Sequence, residues 1–244
     1  MPKKIDSYTK KKLGIKEGPL EKTLIKITSE LVENPVIQAK FREMRKEFTV
    51  KSKYYYVGKA FVMGVLMYYL GGRLEVEDVY SLRDVRLKAA KIFAEAVLKN
   101  KILRDLIYSW NRHVAPKSLH PKKGTVIRSP EDLDYDALYI YFRRSTDFDK
   151  YESIGFMTIE LQGNKAILEN TPLCNEIVLE YLPEITKIYD EDLVADLVKE
   201  HSRAMYTLEA VGIKPEKEEK IGNNNIAENL NKEREDQEED VENE

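Results

Sequence analysis

Cysteine is nearly missing: the chain of 244 residues has one, Cys174, so it can form neither an internal disulfide framework nor a cysteine-based zinc site. Histidine is scarce as well, at three residues. His113 and His120 have no third ligand at a metal-binding spacing, and no cofactor site is expected. Long apolar runs are also missing. The longest uncharged stretch, AFVMGVLMYYLGG between Lys59 and Arg73, has thirteen residues where a bilayer span needs about 20. It reads instead as a central helix that is apolar all round, ended by Gly71 and Gly72. The lysine-rich start MPKKIDSYTKKKLGIK lacks the apolar core of a secretory signal. No P-loop or nucleotidyltransferase signature occurs, and Glu160 has no lysine two residues on. These absences exclude a membrane protein and a disulfide scaffold, leave a cytoplasmic chain, and name no reaction.

What the sequence has in abundance is charge, arranged in blocks that a formal net charge of −3 conceals. Residues 1–130 hold 28 Lys+Arg against 13 Asp+Glu, residues 131–214 hold 8 against 18, and residues 215–244 hold 4 against 12. Electrostatic potential acts locally, over a screened range of about 8 to 10 Å, so the N-terminal half behaves as a basic protein whatever the isoelectric point. Lysine and glutamate, at 28 and 29, far outnumber the three glutamines, a thermophile-like composition. The twelve asparagines and six methionines run against that pattern.

Periodicity gives the expected organisation, an α+β fold. Residues 1–18 read as a basic flexible arm and residues 19–115 as helical. Residues 116–214 read as a small antiparallel sheet of three or more strands plus C-terminal helices, one globular unit with the preceding region. Residues 215–244 read as a disordered acidic tail, too poor in apolar residues to offset the entropy of ordering. Pro19 and Pro35 each suit the first turn of a helix. Ser81 with Asp84 forms a capping-box-like start to a long helix that breaks at Asn100. SPED at 129–132 predicts a single helical turn. ALYIYF (137–142), GFMTIEL (155–161) and KAILE (165–169) read as strands, the last two joined as a hairpin through Gln162-Gly163-Asn164. Thr171-Pro172 opens a helix to about Leu182, Pro183 restarts it, and Asp190 caps another that Gly212 stops.

Three constellations carry chemical possibilities. In KSKYYYVGK, Tyr54, Tyr55 and Tyr56 fan through about 200° on a helix, so at least one ring is expected near Lys51 or Lys53, where it could stack a base beside a backbone-holding cation. Otherwise the phenols anchor the rim of the buried helix. A Pro- and Gly-punctuated loop carries Arg112, Lys117, Lys122, Lys123 and Arg128, and Lys88 and Lys91 share the outer face of the long helix with Lys99 and Glu95. Such cations neutralise phosphates by counterion release, or simply solvate a surface. Asp134 and Asp136, flanking Tyr135 on an extended segment, would point the same way and could hold a divalent metal, although helix capping explains part of the cluster. His201, on an apolar helical face, reads as a satisfied core histidine and Cys174 as structural. The leading expectation is a non-enzymatic nucleic-acid-associated protein that contacts mainly phosphates. The first alternative is an assembly protein, a homo-oligomer joined through oppositely charged halves. The second is a metal-dependent nucleic-acid enzyme using Asp134 and Asp136.

Overall fold

A computed structural model describes residues 18–44, 47–114 and 127–210. The chain divides into Met1–Tyr206 and Thr207–Glu244, and of the second unit only the end of its leading helix is described. The anticipated arm, most of the basic loop and the acidic tail therefore lie outside the described residues.

Helix α1 (Pro19–Glu33) starts with proline at its first position and buries Leu20, Leu24, Ile27 and Leu31 at helical spacing. Asn34 ends it and caps α2 (Pro35–Glu43), its Oδ1 accepting from the Val36 amide at 2.9 Å. Helix α3 (Val50–Tyr69) is capped by Thr49, and every residue from Val57 to Met67 is buried. α3 is the central element, touched by α1, by the first and the middle strand of the sheet and by most later helices. Gly71 and Gly72, at φ of 87° and 80°, turn the chain out of it into β1 (Arg73–Glu77).

Ser81 Oγ accepts from the Asp84 amide and opens α4 (Leu82–Lys99). Asn100 closes α4 and its Oδ1 caps α5 (Lys101–Val114) through the Leu103 amide, as the break at that residue predicts. After a single 3₁₀ turn at Pro130–Asp132 come α6 (Tyr135–Ser145), α7 (Phe148–Ser153), the hairpin β2 (Met157–Gln162) and β3 (Lys165–Asn170), α8 (Pro172–Thr186) and α9 (Glu191–Ala210). The fold is α+β: a helical N-terminal half, a small three-stranded antiparallel sheet in the middle and helices on the C-terminal side. In the sheet, of order β1-β3-β2, Leu168 pairs with Leu74 on one side and Ile159 on the other, on the face turned to the core.

Two local expectations are corrected. ALYIYF is helical, within α6, because Asp134 Oδ1 accepts from the Ala137 amide at 2.7 Å and the buried residues Ala137, Leu138, Tyr141 and Phe142 recur at helical rather than alternating spacing. The third strand comes from RLEVE, whose polar–apolar alternation follows directly on the two glycines. Pro183 does not restart a helix but lies inside α8. Leu182 and Ile185 on either side of it are both buried, so their packing outweighs the missing backbone donor.

Close approach to α3 depends on two glycines. A Cβ built on Gly58 would lie 2.1 Å from the Trp110 ring, and one on Gly64 would lie 2.6 Å from Cys174 Sγ. Alanine is the better helix former by about 1 kcal/mol, yet overpacking a rigid indole costs about 1 to 3 kcal/mol. Gly58→Ala should therefore lower the chemical-denaturation stability despite its propensity gain, and an unchanged or raised midpoint would show that Trp110 has room to move.

Candidate functional site

The three tyrosines of the Lys/Tyr segment separate as the helical fan requires, but toward different partners from those anticipated. Tyr54 is buried at 8% exposure and stacks on Trp110 with ring centroids 5.8 Å apart, so it cannot offer a ring to a ligand. Its placement corrects its assignment as a nucleic-acid contact. Tyr55 and Tyr56 are half-buried and meet lysines, though these are Lys59 and Lys150 rather than Lys51 or Lys53: Lys59 Nζ lies 5.5 Å from the Tyr55 ring and Lys150 Nζ 4.5 Å from the Tyr56 ring. Lys53 turns inward, with Nζ 3.1 Å from Gln38 Oε1 and 5.3 Å from the Phe41 ring.

These side chains form a charged cluster where α3 meets α7. The Lys59 side chain, 4% exposed, places Nζ 3.7 Å from Asp147 Oδ2, and Lys150 Nζ lies at the same distance from the same oxygen. Both separations are ion pairs rather than short hydrogen bonds. Burial lowers the Lys59 pKa to about 8; Asp147 opposes that shift, while Lys150 and Arg86 add to it. Burial also works against the charge of Lys150, but Tyr56 and Asp147 outweigh it and its pKa is raised. Burial raises the Tyr55 phenol, with Asp147 adding to the effect, and raises Tyr151 well above the usual range. A buried amine poised near pH 8 has the acid–base character of catalytic lysines, but at 4% exposure it is closed to a substrate and acts as an internal charge. Lys59 could have been found in the sequence as the one charge inside the apolar run. Asp147, Lys150 and Tyr151 carry no comparable local signal.

The other anticipated cations divide into used and unused. Lys88 Nζ donates to the Glu77 carbonyl at 2.7 Å and pairs with Asp78, so it braces the end of β1. The Arg112 guanidinium lies 5.8 Å from the Tyr108 ring. Arg128 is exposed, but its main chain is fixed: its amide donates to Asp132 Oδ2 at 2.8 Å and its carbonyl accepts from the Tyr108 hydroxyl. Lys51 and Lys91 are exposed and form no ion pair among the described residues. Lys117, Lys122 and Lys123 lie outside the described residues.

The D-x-D expectation fails on geometry. Asp134 caps α6 from an extended backbone and turns its Oδ1 to the Ala137 amide, while Asp136 sits in the first helical turn, so the two are not same-side positions of one extended segment. No group of three or more His, Cys, Asp or Glu could hold a metal among the described residues. Burial pushes the Cys174 thiol up to about 12, in keeping with a structural role. His201 stacks on Tyr68 with centroids 3.7 Å apart, its Nδ1 2.5 Å from the Tyr68 carbonyl, so its ring is satisfied. No described helix is long and apolar enough to cross a membrane.

Comparison with protein-family models, curated proteins and solved structures finds no match to this chain. The class that can be assigned is thus the one the fold defines, a helix-rich α+β protein with a three-stranded antiparallel sheet.

The Lys59 pKa implies a pH dependence of stability. Lowered from 10.5 to about 8 in the fold, it makes the cost of the buried charge fully present below pH 8, and the cost fades toward pH 10.5 as the unfolded chain loses the same proton. Measured against Lys59→Met, the wild type should gain about 2 kcal/mol of unfolding free energy between about pH 8 and 10. A difference that is flat across this window would show that the amine does not titrate there.

Proposed function

We propose that the protein binds nucleic acid without catalysing a reaction, holding mainly the phosphate backbone through its basic N-terminal half. The observation that supports this reading is a set of exposed cations in that half, among them Lys51, Lys91 and Lys99, that form no ion pair among the described residues. Other lysines are engaged by acids, among them Lys26 with Glu184, Lys40 with Glu43, Lys101 with Asp105 and Lys165 with Glu75. Unpaired cations on a half with a large positive excess release counterions when they meet phosphates, and that release supplies non-specific affinity.

A second reading, self-association through opposite charges, draws on the outer face of the sheet. Glu75, Glu77, Glu160 and Glu169 are all on that face, against Arg73 and Lys165. It predicts oligomers at low salt without nucleic acid.

The test is a titration against single- and double-stranded DNA and RNA at several salt concentrations, with light scattering on the same samples. Charge reversal at Lys51 or Lys91 should weaken binding on every sequence and lower the log–log salt slope by about 0.7 to 0.9 per lost contact. Lys53→Met should leave that slope unchanged, since this amine is engaged with Gln38 and Phe41. A slope indifferent to Lys51 and Lys91 would remove both from the interface, and salt-sensitive assembly without nucleic acid would favour the second reading.

A further inference from the structure

We propose that one side of α6, with the neighbouring edge of α4, is a stacking platform for the bases of single-stranded nucleic acid; this rests on the nucleic-acid reading above. Tyr135, Tyr139 and Arg143 are four residues apart and rise along one side of α6. The two phenol rings are parallel within 3° at a centroid separation of 6.2 Å, and the Arg143 guanidinium lies 5.8 Å from the Tyr139 ring. Two aromatic faces and a planar cation thus follow one another in a row. The core side of the same helix is supplied by Ala137, Leu138, Tyr141 and Phe142, while both platform tyrosines are only half-buried and Arg143 is exposed. These rings border the surface rather than fill the interior.

The adjoining helix sets the charge along this row. Phe93 packs on Phe142 at 5.4 Å, and Glu95 is close enough to raise the Tyr135 phenol, second to burial in effect. Arg86, near the start of α4, instead adds to the field on Lys59, which pairs with Asp147 just beyond the end of α6. Lys91 is exposed one turn before Glu95 on the same side of α4. One end of the row is cationic, with Arg143, and the other is acidic, with Glu95 acting on Tyr135. A polyanion is drawn to the first end and its bases are offered the two phenol faces, while the acid limits how far phosphates extend.

The occupant that fits is a single strand. Stacking on a π face is open to any unpaired base and depends little on sequence, whereas a duplex already keeps its base faces against one another. An aromatic row bordered by cations would add nothing to duplex binding beyond phosphate contact.

The experiment uses the full chain and two fluorescent probes, a single-stranded oligothymidine and a mixed-sequence duplex of equal length, read by anisotropy at one salt concentration. The wild type should bind the single strand more tightly. Tyr139→Ala should lose about tenfold on the single strand, within the range of about 1 to 3 kcal/mol per stacked base, and be nearly unchanged on the duplex. Tyr139→Phe should keep wild-type affinity because it keeps the ring, and Glu95→Gln should bind both probes about twofold more tightly. Thermal melts establish that each variant is folded. Should Tyr139→Ala be misfolded, Arg143→Gln, at an exposed position, takes its place and should lose single-strand affinity. Equal single-strand affinity in the wild type and folded Tyr135→Ala/Tyr139→Ala would overturn the platform and leave phosphate binding intact. Binding of neither probe by the wild type would overturn the nucleic-acid reading and the platform together.

Discussion

The architecture depends on how closely other elements approach α3. A helix buried on every side needs partners on every side, and two of its contacts are possible only because glycine removes a side chain. The Trp110 ring occupies the space where a Gly58 Cβ would be, and Cys174 occupies it at Gly64. At Gly64 the approach extends to the main chain, where the carbonyl accepts from Asn170 Nδ2 at 3.0 Å, which ties the end of β3 to the centre of the core. Substituting either glycine would push against a ring or a sulfur that has neighbours of its own. The docking of α5 and α8 is thus written into α3.

Placing Lys59 next to Gly58 then puts a charge inside that packing. An isolated buried ammonium is costly, and a partner carboxylate offsets the cost only in part. Asp147 supplies that partner from the start of α7, and it also receives Lys150, which in turn lies over Tyr56. One carboxylate thereby holds two amines that belong to different helices. Asp147 opposes the like charges of Lys150 and Arg86 on Lys59, so the pair helps fix where α7 meets α3 even though each of its contacts is long.

The sequence made most of the helical framework legible, because the capping residues and apolar spacing at Pro19, Ser81, Asn100, Thr171 and Asp190 are local signals. It misled where local signals conflicted. The aromatic and β-branched residues of ALYIYF favour a strand, but the Asp134 cap and the core's demand for 137, 138, 141 and 142 on one side decide for a helix. RLEVE was hidden behind the two glycines that end α3. The charged cluster was legible only by half: Lys59 stands out in its apolar run, whereas Asp147 reaches it by a tertiary contact across 88 positions in the chain. Tyr54 shows the same limit, since the fan of three tyrosines follows from helical geometry but which of them faces Trp110 does not.

The same distinction governs charge at the surface. A lysine count treats all cations alike, but the fold assigns them to different tasks: Lys88 braces β1, Lys59 and Lys150 share Asp147, and Lys165 bridges Glu75 and Glu77 across the sheet. Each of these has exchanged much of its attraction for an external anion for an internal partner. Lys51, Lys91 and Lys99 have made no such exchange, and two of the three lie on α4, the helix whose other side packs α6. α4 thus joins the core to the basic surface: its alanines Ala89, Ala90 and Ala94 are buried, while Lys91 and Lys99 face solvent. The cations left for an external anion are those the protein's own acids do not compensate, and where those lie is a property of the packing rather than of the composition.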